Sequence, residues 1–154
     1  MAAVDSILVV CTGNICRSPA GERLLAAALP GIRVGSAGLG AVVGAAADPE
    51  TAAAAAERGL DLAGHVARQF TAALARDHAL ILVMEPGQRD EIRRLYPQFS
   101  GRTMMFDQWT GGGGIADPHG RPRDAHRRAL AAIAEAADAW VARLGGKARN
   151  AAEE

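Results

Sequence analysis

Cys11 and Arg17 bracket a short polar turn, Cys11-Thr12-Gly13-Asn14-Ile15-Cys16-Arg17-Ser18, and these residue types at this separation define a chemistry. A cysteine is a strong nucleophile as its thiolate, and positive surroundings favour that form. The backbone N–H groups of Thr12, Gly13, Asn14, Ile15 and Cys16, ending at a helix start, form a cradle for an anion. A guanidinium at the end of the cradle adds a forked grip on a phosphate-like oxyanion. A nucleophile and an oxyanion receptor in one loop point to phosphoryl transfer through a cysteinyl-phosphate. Packing alone can explain a cysteine at the end of a strand, and for Cys16 that reading stands level with a reactive one. It does not explain why Arg17 and Ser18 follow Cys11 at a helix entrance. An arginine without the cysteine would bind phosphate and stop there. The loop is not the nucleotide-binding type, since Gly-x4-Gly-Lys-[Ser/Thr] is absent.

The remaining chemistry-bearing residues are sparse. Cys11 and Cys16 are the two cysteines, and His65, His78, His119 and His126 make no paired-ligand spacing with them. No metal and no cofactor is therefore expected. Because both cysteines share one loop, oxidation of Cys11 to a sulfenic acid is expected to end in a disulfide with Cys16. Seventeen basic residues balance seventeen acidic ones in 154, whereas a nucleic-acid-binding chain usually carries a basic excess, so no such partner is expected. A hydrophobic share of 49% is enough for one core and excludes intrinsic disorder. The chain is read as a single domain over 1–146 with a frayed tail at 147–154. No apolar run is long enough to cross a bilayer, and the Met1 to Ser6 stretch lacks the basic start of a secretory signal. A cytoplasmic protein without membrane insertion is expected.

The elements that must position the loop can be read from periodicity. Ser6 to Val10 is a β-branched run typical of a buried strand, placing Cys11 at its carboxyl edge. Pro19 fits a first helical turn, and Ala20 to Leu29 reads as helix until Pro30-Gly31 ends it. A second strand is expected over Ile32 to Ala37, then a small-residue loop to Ala47. Asp48-Pro49-Glu50 starts an alanine-rich helix that stops near Gly59. Thr71 to Arg76 reads as a short helix, Ala79 to Met84 as a strand, and Pro86 opens a helix whose Ile92 and Leu95 share one apolar face. A weak strand over Arg102 to Phe106 precedes a loop expected to be mobile around Gly111 to Gly114. Leu130, Ile133, Ala137, Trp140, Val141 and Leu144 then repeat at helical spacing. Strands alternating with helices imply an α/β three-layer sandwich, with a parallel sheet of roughly four strands flanked by helices.

With these residues in view, Val9-Val10-Cys11-Thr12-Gly13-Asn14-Ile15-Cys16-Arg17-Ser18-Pro19 resembles the signature loop of the low-molecular-weight protein tyrosine phosphatases. The likeness continues through Ser36-Ala37-Gly38, Asp48-Pro49, Gly64-His65-Val66-Ala67-Arg68-Gln69 and Asp117-Pro118. Within the family, Ser36 to Ala41 and the stretch around His65 resemble the bacterial branch linked to capsule and exopolysaccharide operons. The resemblance implies Cys11 as nucleophile, Arg17 as phosphate clamp and Asp117 as the acid that protonates a leaving phenolate. It implies that Ser18 bonds the thiolate sulfur, and that Asn14, Ser36 and His65 hold the loop in shape. It also implies a phosphotyrosine protein as substrate, in this branch a tyrosine autokinase controlling polymer export.

One departure stands out. The family usually follows Asp-Pro with an aromatic residue that lines the slot for the substrate ring, whereas here His119 and Gly120 follow Pro118. The rim is accordingly read from Leu39 to Val43 and from Pro118 to Gly120, with Leu39 and His119 as its substrate contacts and Arg121 and Arg123 as its nearby charge. A monomer or weak oligomer is expected. The rival enzyme on this fold is arsenate reductase, which needs relay cysteines away from the loop, and this chain has none. The rival outside enzymes, a silent phosphate-binding module, does not explain Cys11, Arg17 and Asp117 together.

Overall fold

The computed structural model describes residues 4–153, with side chains placed as far as Gly145. Four strands, β1 (Ser6–Cys11), β2 (Arg33–Gly38), β3 (Leu80–Val83) and β4 (Thr103–Met105), form one sheet in the order β2-β1-β3-β4. Every pairing is parallel. The helices are α1 (Arg17–Ala28), α2 (Pro49–Glu57), α3 (Ala72–Arg76), α4 (Pro86–Leu95) and α5 (Arg123–Glu153), with a 3-10 segment over Pro97–Arg102. Because β1 is flanked on both sides, all six of its residues are buried, as an apolar run in a covered parallel sheet must be.

Side chains alternate across β1 and divide the interior in two. Ile7, Val9 and Cys11 face a core shared with Leu25, Leu130, Ile133 and Trp140, so α1 and α5 cover that side. Leu8 and Val10 face Phe70, Ala75, Ile92 and Phe99, which places α3 and α4 on the other. The three-layer parallel sandwich is thus as expected. From β1 the chain crosses first to β2 and later to β3 on the opposite side, so the sheet's switch point lies at the carboxyl end of β1. Cys11 stands there.

Several boundaries differ from the periodic reading, each for a local reason. α1 begins at Arg17 rather than Ala20, because Cys16 takes the N-cap position and Pro19 falls inside the first turn. Leu95 does not share the buried face of Ile92: it is the last residue of α4 and is 50% exposed, while Ile92 is fully buried. The loop expected to be mobile is tied down, with Asp107 accepting from Gly114 N–H and Ile115 N–H bonding the Met84 carbonyl. α5 continues through Gly145 to Glu153, and the side chains of the expected tail lie outside the described residues.

Candidate active site

The loop between β1 and α1 is held by its carbonyls. Leu39 N–H bonds the Cys11 carbonyl, Gly40 that of Thr12, Val42 that of Gly13 and Asp48 that of Ile15, at 2.9–3.0 Å. His65 Nε2 donates to the Asn14 carbonyl at 2.6 Å. All five carbonyls from Cys11 to Ile15 are therefore drawn outward, to segments beyond the loop. A trans peptide points its N–H opposite to its C=O. The amides of Thr12 through Cys16 consequently turn to the inner side, in succession, toward the N-terminus of α1. That is an anion cradle made by folding.

Asn14 makes the turn possible. Its φ of 58° lies in the left-handed region, which asparagine tolerates better than most residues. Its side chain is fully buried and its amide donates to Ser18 Oγ at 2.7 Å and Ser36 Oγ at 3.0 Å. Its side-chain carbonyl accepts from Arg68 N–H at 2.9 Å. Ser18 Oγ lies 2.9 Å from Cys11 Sγ. Since that hydroxyl already accepts from Asn14, its proton is free to point at the sulfur, where it stabilises negative charge. Ser36 in turn donates to the Glu22 carboxylate.

Gly38, at the end of β2, lets the neighbouring segment approach the cradle. A Cβ on Gly38 would stand 2.4 Å from the Thr12 carbonyl oxygen and 3.0 Å from Asn14 N. Gly38→Ala is expected to destabilise the protein by about 1–3 kcal/mol, the usual cost of overpacking, and to lower phosphate affinity because the clash falls on the loop. Urea unfolding together with phosphate titration checks this; an unchanged midpoint and affinity would contradict it.

Arg17 is 2% exposed although it carries a permanent charge. Its Nη1 donates to the Ile115 carbonyl at 2.8 Å and lies 3.4 Å from Glu85, while Nη2 lies 3.5 Å from Asp117 Oδ2. Its Nε is buried without a partner, a donor left for an oxyanion. Asp117 is about half exposed, and its Oδ1 accepts from His119 N–H at 3.1 Å, so the carboxylate rides on a short turn stiffened by buried Pro118. Gln88 reaches across from α4 to Thr12 Oγ1 at 3.1 Å.

The rim corrects one expectation, that of Arg123. Leu39 packs partly buried against the second core, and its N–H bonds the Cys11 carbonyl as the chain leaves β2. Within the segment from Leu39 to Val43, Val42 and Val43 are exposed, at 51% and 70%. Arg123 is not free rim charge, since Glu50 and Glu57 both pair with it and bind α5 to α2. His119 is exposed as expected, but its ring turns to Asp48, 3.4 Å away. Burial, reinforced by the charges of Asp48 and Asp117, pushes the Cys16 thiol up to about 12. Disulfide exchange needs the thiolate, so capture of an oxidised Cys11 by Cys16 should quicken as pH rises toward that value.

Glu22, Asp48, Arg68, Glu85 and Gln88 belong to the site but carry no loop motif. For Glu85 a signal existed, since it follows β3 and caps α4, at the carboxyl edge where ligands bind.

The sequence profile of the family described as low molecular weight phosphotyrosine protein phosphatase matches residues 6–150. The chain is 49% identical over 138 residues to a probable low molecular weight protein-tyrosine-phosphatase, AmsI, of Erwinia amylovora, covering 90% of this chain and 96% of that protein. A crystal structure of the Erwinia amylovora tyrosine phosphatase AmsI superposes with a TM-score of 0.90 over 93% of this chain and 95% of that one. Vibrio vulnificus Wzb in complex with benzylphosphonate is 41% identical, with a TM-score of 0.89, covering 92% of this chain and 100% of that one. YwlE arginine phosphatase from Geobacillus stearothermophilus is 33% identical, with a TM-score of 0.86, over 92% and 94% of the two chains.

Proposed function

The chain belongs to the low molecular weight phosphotyrosine protein phosphatase family, and from that premise we propose how its residues divide the work of hydrolysing phosphotyrosine. Cys11 attacks phosphorus in line and displaces the tyrosine oxygen, forming a cysteinyl-phosphate. The inward amides of the loop and the Arg17 guanidinium hold the equatorial oxygens as charge builds on them. Asp117 gives its proton to the departing phenolate and then takes one from the water that attacks the cysteinyl-phosphate. Ser18 stabilises the Cys11 thiolate as it leaves in that second step, and Asn14, Ser36 and His65 keep the loop in register. The observation that supports this most is the outward anchoring of five consecutive carbonyls between Cys11 and Arg17.

Substrate choice follows from depth. Cys11 is 2% exposed at the carboxyl end of β1, while Val42 and Val43 of the rim segment are exposed. A phenyl ring carries phosphate down to it, whereas a phosphoserine side chain would draw polar backbone against that apolar rim. Burying the ring contributes about 1.5–3 kcal/mol, or roughly ten- to hundredfold in kcat/KM. Matched phosphotyrosine and phosphoserine peptides should show that ratio, and phosphoarginine makes a third arm. Equal kcat/KM on the first two would defeat the reading. In keeping with the exopolysaccharide branch it resembles, the substrate proposed is the phosphotyrosine tail of a bacterial autokinase, met in the cytoplasm by a monomer or weak oligomer. Among the described residues no helix is long and apolar enough to cross a membrane. A kinase encoded beside this gene, left phosphorylated while small aryl phosphates turn over, would remove that partner.

A further inference from the structure

Beside the cradle, Cys16 Sγ, one Asp48 carboxylate oxygen and one His119 ring nitrogen lie within 4.8 Å of one another. The three residues come from the loop before α1, the N-cap of α2 and the turn after Asp117, so their spacing in the sequence conceals the group. Asp48 and His119 turn one atom each toward the other, and the Cys16 side chain, which bonds Thr51, lies beside them. Asp48 Oδ1 caps α2 by accepting from Glu50 and Thr51 N–H, which leaves Oδ2 to face His119. The separation between that Oδ2 and His119 Nδ1 is 3.4 Å. Two ligands about 2.0–2.2 Å from one tetrahedral ion stand about 3.4 Å apart. Cys16 completes a sulfur, nitrogen and oxygen set that favours a borderline-soft ion over magnesium or calcium.

We propose that Cys16, Asp48 and His119 form a binding site for zinc or a zinc-like divalent ion, separate from the phosphate cradle. On binding, the thiol proton passes to water and a metal–sulfur bond takes its place. Thiolate and carboxylate together balance the dication, so the occupied site is neutral where the free one carries the single negative charge of Asp48. The fourth position stays open to solvent, since His119 is exposed. The ion would tie the turn bearing Asp117 to the start of α2, because His119 N–H bonds Asp117 Oδ1. Any effect on turnover through Asp117 rests on the phosphatase reading; metal binding itself does not.

Cobalt titration of the full chain, freed of metal with a chelator, tests the site. Cobalt–thiolate charge transfer in the near ultraviolet is expected in wild type and in Cys11→Ser, is lost in Cys16→Ser, and is displaced by zinc. His119→Ala and Asp48→Asn should each weaken zinc at least about tenfold, the lower end of what even supporting residues contribute to metal affinity. His119 is exposed and asparagine keeps the helix cap, so neither variant depends on rebuilding the fold. A band that disappears with Cys11 and persists without Cys16 would place the metal in the cradle and overturn the proposal. Zinc affinity unmoved by both His119→Ala and Asp48→Asn would overturn it equally.

Discussion

Cys11→Ser is expected to leave a folded protein that still binds phosphate and hydrolyses nothing measurable. The substitution exchanges sulfur for a smaller oxygen at a site where Ser18 Oγ already lies 2.9 Å away, so the hydrogen bond survives and packing changes little. The cradle is held by carbonyl bonds to Leu39, Gly40, Val42, Asp48 and His65, none of which involves the Cys11 side chain. What disappears is the nucleophile: a serine hydroxyl keeps its proton at neutral pH, and no residue bonded to it is a base that could remove it. Loss of turnover by at least about ten-thousandfold is expected, as for removal of a nucleophile elsewhere. Calorimetric phosphate titration and circular dichroism should match wild type. Residual activity above about a hundredth of wild type in clean preparations would sink the covalent mechanism.

Asp117→Asn should cost the second most, and its cost should depend on the substrate. A positioned general acid contributes about a hundred- to ten-thousandfold when the leaving group is a poor one. Phosphotyrosine loses a phenolate that needs that proton, while an activated aryl phosphate such as the para-nitrophenyl ester departs readily as the anion. The loss in kcat should therefore shrink along a series of increasingly acidic phenols. Binding should change little, because the Arg17–Asp117 pair is 3.5 Å long and the carboxylate is about half exposed. An equal loss at every leaving group would mean that Asp117 only shapes the turn.

The parts of this molecule legible from residue order were those governed by short-range rules. β1 was visible because a strand covered on both faces must be apolar throughout, and α2 because Asp48-Pro49 is a helix start whatever follows. The cradle was legible too, since nucleophile, amides and guanidinium are contiguous. What stayed hidden was the ring of partners around it. Asn14 meets Arg68, and Arg17 meets Glu85, across separations that no period encodes, while Ser36, His65 and Asp117 were legible only through the family resemblance. Leu95 and Arg123 differ from their readings because neither helical spacing nor nearness to the rim names the neighbour that decides burial or pairing. At Leu95 the helix ends in solvent, and at Arg123 α2 supplies two carboxylates.

The outward carbonyls have a consequence for the end of the catalytic cycle. A cradle fixed by bonds to the body of the protein presents the same donors to a phosphate still attached to a substrate and to one that is not. It recognises tetrahedral oxyanion shape itself, and the ordering cost of that recognition was met during folding rather than at each encounter. Inorganic phosphate is therefore retained by the same donors that bound the ester. The enzyme's rate in a cell would then follow not only how much phosphotyrosine is present but how much free phosphate surrounds it, so that phosphate abundance slows the removal of phosphate from protein.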